Sequence, residues 1–110
     1  MAYADALAAL ADPTRRAIYE SLRGAPRPVG EIAAGFPVSR PAVSQHLKAL
    51  REAGLVVETR AGTRHLYAAD PAAALELRNY FQATWERAMR AYAGHVAVEE
   101  DRRARKPRRP

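Results

Sequence analysis

Between positions 38 and 56 the chain reads VSRPAVSQHLKALREAGLV, with polar residues recurring at helical spacing. Arg40, Pro41, Ser44, Gln45 and Lys48 fall on one edge of a helix. Val43, Leu47 and Leu50, at i, i+4 and i+7, mark the opposite edge, which must face a core. The polar edge offers a guanidinium, an ammonium, a hydroxyl and a carboxamide. These groups neutralise anions and exchange hydrogen bonds, and none of them is a nucleophile beside an activating base. Nothing else in the chain supplies such chemistry. Cysteine is absent, which removes disulfides, thiolate metal sites and thiol nucleophiles. No paired carboxylates share a helix face with a histidine, and neither a phosphate-cradling glycine loop nor a hydrolase serine motif is present. The chain therefore reads as a binding protein without a cofactor, not as an enzyme.

The elements that must hold this edge follow from the punctuation. Residues 3–11 form a short apolar helix, with Leu7 and Leu10 on one face. Asp12-Pro13 restarts the chain, Asp as a cap and Pro at a first-turn position whose N–H has no partner to lose. The second helix runs to about 22, with Ile18 and Leu22 inward, and Gly24, Pro26 and Pro28 break it. A third short helix spans about 29–35 with Ile32 and Ala33 inward. The fourth runs from 40 to about 53, capped by Ser39 and ended by Gly54. The period then changes: 55–60 and 63–68 are rich in Val, Thr, Leu and Tyr and flank Ala61-Gly62, which reads as a β-hairpin. Asp70-Pro71 starts the last and longest helix, to about 92 or beyond.

Two short helices joined by a turn and followed by a hairpin make a winged helix-turn-helix. The expected fold is mainly α, five helices plus a two-stranded wing. A major groove roughly 12 Å wide admits one α-helix. Small Ser39, Ala42 and Ser44 let that helix approach closely, Gln45 suits bidentate pairing with adenine, and Arg40 suits guanine or phosphate. Charge supports this locally, not globally. The formal +6 is dominated by residues 101–110, DRRARKPRRP, whose six cations and one anion leave a net of only +1 in residues 1–100. Yet within 27–68, Arg27, Arg40, Lys48, Arg51, Arg60 and Arg64 meet only Glu31, Glu52 and Glu58.

These residues resemble the ArsR-type winged-helix transcriptional repressors. The resemblance rests on Asp12-Pro13-Thr14-Arg15, Glu31-Ile32-Ala33, the stretch from Ser39 to Val56, and Arg60-Ala61-Gly62-Thr63-Arg64-His65-Leu66-Tyr67. It covers about residues 5–92. It implies a homodimer with the first and last helices at the interface, residues 39–48 on a recognition helix, and Arg60 and Arg64 on a wing touching phosphate or minor groove. Metal-sensing members carry a Cys-x-Cys pair on the third helix, where this chain has Ile32-Ala33-Ala34-Gly35, and another sensing site needs paired Asp and His ligands. Here His95, with Glu99 and Glu100 near it, stands without a second histidine on the last helix. No metal site is expected.

The expected DNA-contacting set is Ser39, Arg40, Pro41, Ser44, Gln45, His46, Lys48, Arg60 and Arg64. Within it His46 borders the buried stripe and reads as a packed or phosphate-bonding side chain. On the last helix Leu77, Phe81, Trp85, Ala88 and Tyr92 recur at helical spacing, widened by Tyr80, Thr84 and Met89. Part of that stripe belongs to the core. Its width favours a two-fold interface made by Leu7, Leu77, Phe81, Trp85, Met89 and Tyr92, with a small-molecule pocket as the alternative. Residues 1–100 form one DNA-binding and dimerisation domain, and 101–110 a basic disordered tail that either only solubilises or touches phosphate without reading sequence. No apolar run approaches the ~20 residues of a membrane span, so a cytoplasmic regulator of double-stranded DNA is expected. The competing reading is an architectural or RNA-binding protein held mainly by its basic tail.

Overall fold

The computed structural model describes residues 3–22 and 24–105. Its elements run α1 (Tyr3–Ala11), α2 (Pro13–Ser21), β1 (Arg27–Pro28), α3 (Val29–Ala33), α4 (Arg40–Glu52), β2 (Val56–Ala61), β3 (Arg64–Ala69) and α5 (Pro71–Arg105). The chain forms two compact units, residues 1–77 and 78–110.

The first unit is organised around α4. Val43, Leu47 and Leu50 are completely buried and pack with Ile18, Leu22, Ile32, Leu55 and Val56. Local chemistry sets both helix ends. Ser39 Oγ accepts from the Ala42 N–H at 3.2 Å, satisfying a donor that the first turn leaves open. At the other end Gly54 takes φ +83°, a left-handed conformation that costs glycine nothing. Its N–H donates to the Arg51 carbonyl and the Leu55 N–H to the Leu50 carbonyl, each at 3.0 Å. This pair of bonds closes a Schellman cap, with Leu50 and Leu55 supplying its apolar contact. The cap thereby drops the chain into the core and aims it into β2. Asp12 caps α2 by accepting from the Arg15 N–H at 2.9 Å, and Asp70 starts α5 by accepting from the Ala72 N–H at 3.0 Å.

On α1 the buried edge is Ala6 and Ala9, while Leu7 and Leu10 are half-buried beside the core. The small alanines permit the closest approach to the core, and the two leucines flank them.

The hairpin turns at Gly62-Thr63, one residue later than the sequence suggests, with Gly62 at φ +66° and Ala61 opposite Arg64. The wing also gains a strand: β1 pairs with β3 (Arg27 with Tyr67, Pro28 with Leu66), giving an antiparallel sheet of order β1-β3-β2. Proline is tolerated at that edge because an edge strand needs bonds on one side only. Arg27 fastens the strand, donating to the Ser21 carbonyl at 3.3 Å and pairing with Glu31 at 3.7 Å.

α5 contributes Ala73 and Leu77 to the core of the first unit. In the second unit it stays helical to Arg105, so the stretch 101–105, expected as tail, is helix. Glu99 with Arg102 and Asp101 with Arg105 pair at helical spacing, and the terminal arginines suit the negative end of the helix dipole. Residues 106–110 lie outside the described residues. Among the described residues no helix is long and apolar enough to cross a membrane.

Candidate nucleic-acid interface

Burial of Val43, Leu47 and Leu50 forces the other edge of α4 outward. Arg40, Pro41, Ser44, Gln45 and Lys48 are all exposed, and Pro41, Ser44, Gln45 and Lys48 line one shallow depression. The pyrrolidine of Pro41 and the short Ser44 side chain keep this surface low. Any rod-shaped partner can then approach the helix backbone closely enough for Gln45 to exchange two hydrogen bonds with it. The Arg40 guanidinium lies over Gly30 of α3, at the ordinary contact distance of 3.6–3.9 Å from where a β-carbon would stand. It also borders a second concavity shared with Pro28, Val29, Thr63, Arg64 and His65, which joins the start of α4 to the wing tip.

Strand register sorts the wing side chains. Arg60 stands opposite His65, and Ala61 opposite Arg64, so the pleat puts Arg60 and Arg64 on opposite faces of the hairpin. A wing inserted between two backbone strands would use such an arrangement to reach both. Among the described residues, Arg40, Lys48, Arg60 and Arg64 form no ion pair. Arg27, Arg51 and His65 are engaged with Glu31, Glu58 and Glu58 respectively. The outward edge of α4 and the wing thus each present two cations without an ion pair.

Two of the expected contact residues have structural employment. Ser39 is the cap of α4, its oxygen committed to the Ala42 amide. His46 is half-buried with Nδ1 enclosed, turned from the outward edge toward α2, where its charge bears on Asp12. The Asp12 carboxyl is held below the usual aspartate range, first by the hydrogen bond from the Arg15 amide and then by the His46 and Arg15 charges.

Sequence reasoning did not find the cluster between α4 and the wing. Glu58, half-buried on β2, accepts from Arg51 Nη1 with one carboxylate oxygen and from His65 Nδ1 with the other. The His65 hydrogen bond above all, helped by the Arg51 charge, holds the Glu58 carboxyl below its ordinary range against the opposing effect of burial. With Val29, Lys48 and Tyr67 these three residues line a groove between the helix and the sheet. Glu58 and His65 are diagonal neighbours, since Glu58 lies opposite Tyr67. The strand alternation could have suggested that they share a face, but nothing local announces Arg51 as their third member.

Of the expected interface residues, Leu77 is buried in the first unit at 9% exposure. Phe81, Trp85, Met89 and Tyr92 are exposed at 52%, 60%, 39% and 62%. Leu7 is half-buried.

Comparison with known proteins supplies the context. A helix-turn-helix domain family matches residues 10–59, from the end of α1 into β2. The chain is 52% identical over 93 residues to the HTH-type transcriptional regulator Rv2034 of Mycobacterium tuberculosis, covering 84% of this chain and 87% of the relative. It superposes on the ArsR-like transcriptional regulator from Rhodococcus sp. RHA1 with a TM-score of 0.78 and 31% identity, over 89% of this chain and 90% of the other. A solution structure of a homodimeric winged helix-turn-helix DNA-binding domain from Mycobacterium bovis, described as a possible ArsR-family regulator, gives a TM-score of 0.63. That match is 30% identical over 76% of this chain and 78% of the other.

Proposed function

The chain belongs to the ArsR-type family of winged helix-turn-helix transcriptional regulators, and from that membership we propose that it is a homodimeric repressor of an inverted-repeat operator in double-stranded DNA. The observation that carries this reading is the outward edge of α4. Two unpaired cations, a serine and a glutamine stand exposed on a helix whose other edge is locked in the core. In this reading α4 enters the major groove. Gln45 and Ser44 meet base edges, and the Gln45 carboxamide matches the donor–acceptor pair of adenine. Arg40 and Lys48 reach guanine or phosphate, and Arg60 and Arg64 carry the wing along the backbone on its two sides. Ser39 and Pro41 shape the helix start, and His46 packs behind it.

The second copy docks on the exposed stripe Phe81, Trp85, Met89 and Tyr92 of α5. A contiguous aromatic surface of this kind is costly to leave in water. Two-fold symmetry then sets half-sites about one helical turn, 10–10.5 bp, apart or a multiple of it. A dimer seated across such a site excludes other proteins from it, so repression by occlusion follows. Its working place is the cytoplasm of a cell whose DNA lies there.

Selection of bound sequences from a random duplex pool at physiological salt tests the proposal. An enriched palindrome with that spacing is expected. A bound pool without any enriched sequence overturns it.

A further inference from the structure

The groove between α4 and the wing holds Lys48, Arg51 and His65, and the anion in its lining is Glu58. That carboxylate divides itself between Arg51, in the last turn of α4, and His65, on β3. We propose that Glu58 is a specificity-determining positioning residue: it withholds Arg51 and His65 from DNA phosphate and fixes the wing against the recognition helix. The inference rests on the DNA-binding reading above.

The argument is one of ratios. Binding to arbitrary DNA is almost wholly electrostatic, each cation that neutralises a phosphate adding about 0.9 to the salt slope. Sequence preference comes from base edges, here from the Ser44 and Gln45 surface. A cation placed next to the reading edge but reading nothing raises affinity for every duplex and lowers discrimination between them. Arg51 lies one turn beyond Lys48 on α4, and His65 lies opposite Arg60 on the wing. Both border the surface that the proposed duplex would occupy. Glu58 engages both while Arg40, Lys48, Arg60 and Arg64 stay unpaired among the described residues. Because this carboxylate stands on β2 and bonds to Arg51 of the helix and to His65 of β3, it also sets the angle at which wing and helix meet the duplex together. Arg60 and the neighbouring Tyr67 face the cluster from the sheet, and Lys48 faces it from α4, so Glu58 sits among cations that have no competing acid in the groove lining.

The test uses the full chain, the selected palindromic duplex and a scrambled duplex of equal length, titrated over a range of salt. Glu58→Gln, which keeps the size of the side chain, is expected to raise affinity for the scrambled duplex about three- to tenfold near 0.1 M salt and to steepen its salt slope by about 1 per copy. The ratio of palindrome to scramble falls by a similar factor. Adding Arg51→Ala to Glu58→Gln is expected to return the slope and the scrambled-duplex affinity to wild-type values. A merely structural Glu58 gives a different pattern, with a lower thermal midpoint and weaker binding to both duplexes at unchanged slope. That pattern, or a Glu58→Gln protein with unaltered ratio and slope, overturns the inference while the wild-type preference stands. A wild-type chain that prefers no sequence overturns the DNA reading and this inference with it.

Discussion

Trp85 is the single tryptophan of the chain, and it stands at 60% exposure in the middle of the α5 stripe. If that stripe is the two-fold interface, truncating it carries a calculable penalty. An aromatic side chain of this size presents about 200 Å², of which roughly 120 Å² is left for a partner to cover. At about 25 cal/mol per Å², full enclosure is worth about 3 kcal/mol per copy and about 6 kcal/mol per dimer. Enclosure of only half that surface still leaves about 3 kcal/mol, or a dissociation constant about 100-fold weaker for Trp85→Ala. Sedimentation equilibrium over a wide concentration range measures this directly. The wild-type chain carries its own reporter as well: tryptophan emission should lie to the blue in the dimer and move to the red as dilution separates the copies. Because Trp85 lies outside the core of the single chain, the variant should keep its helical circular dichroism, and operator binding should recover at higher protein concentration. A red, concentration-independent emission in the wild type, together with an unchanged mass for Trp85→Ala, would refute the reasoning and return the stripe to some other partner.

Three further outcomes follow from the site. Gln45→Ala should remove about 1–3 kcal/mol of discrimination per half-site while leaving the salt slope alone, measured by parallel titration of cognate and scrambled duplexes. Arg64→Ala should weaken both duplexes by the same factor and reduce the slope by about 1 per copy; a loss confined to the cognate duplex would mean that Arg64 reads sequence. Asp12 makes the stability of the fold depend on acid. Its carboxyl titrates below the ordinary value of 3.8 when folded, so its contribution is complete above that value and is lost as pH falls through the lower folded one. Urea unfolding of wild type and Asp12→Asn should therefore show a constant difference near neutrality that shrinks below pH 3.8, and a difference independent of pH would remove the charge from the account.

Much of the frame was legible because its signals are local. Ser39 with Pro41 opens α4, Gly54 closes it, and three buried residues at i, i+4 and i+7 set its facing. A reader needs only the helical period and the caps to know which edge of α4 is outward. The Asp-Pro starts of α2 and α5 are legible for the same reason. The two-residue β1 carries no period at all and exists only because β3 is there to pair with it. The extension of α5 through 101–105 was hidden by composition, since a run of arginines reads as tail until its spacing to Glu99 and Asp101 is counted. The misplaced hairpin tip mattered less. Moving it by one residue shifts each cross-strand partner by two and leaves every side chain on the same face. The Glu58 cluster is the instructive failure, because its members come from a helix end and two strands and meet only in the folded chain.

That cluster also explains why total charge is a poor guide to this molecule. The formal +6 would suggest indiscriminate affinity for polyanions, yet the cations divide into two populations. Arg27 and Arg51, with Arg102 and Arg105 far along α5, are tied to carboxylates, whereas Arg40, Lys48, Arg60 and Arg64 form no ion pair among the described residues. These four on α4 and the wing make eight in a two-fold pair, enough for a salt slope of about −7 if every one meets a phosphate. Affinity of that kind decides how fast and how firmly a duplex is held, and it says nothing of which duplex. In the proposed complex discrimination would rest instead on two uncharged side chains, Ser44 and Gln45, whose hydrogen bonds have fixed geometry and therefore fail on the wrong base. For them to decide the outcome, the surrounding electrostatics must be strong enough to dock the helix and weak enough not to hold it everywhere. In the proposed complex an acid that ties up Arg51 and His65 beside the reading edge would move the balance in that second direction, at the place where it has most effect.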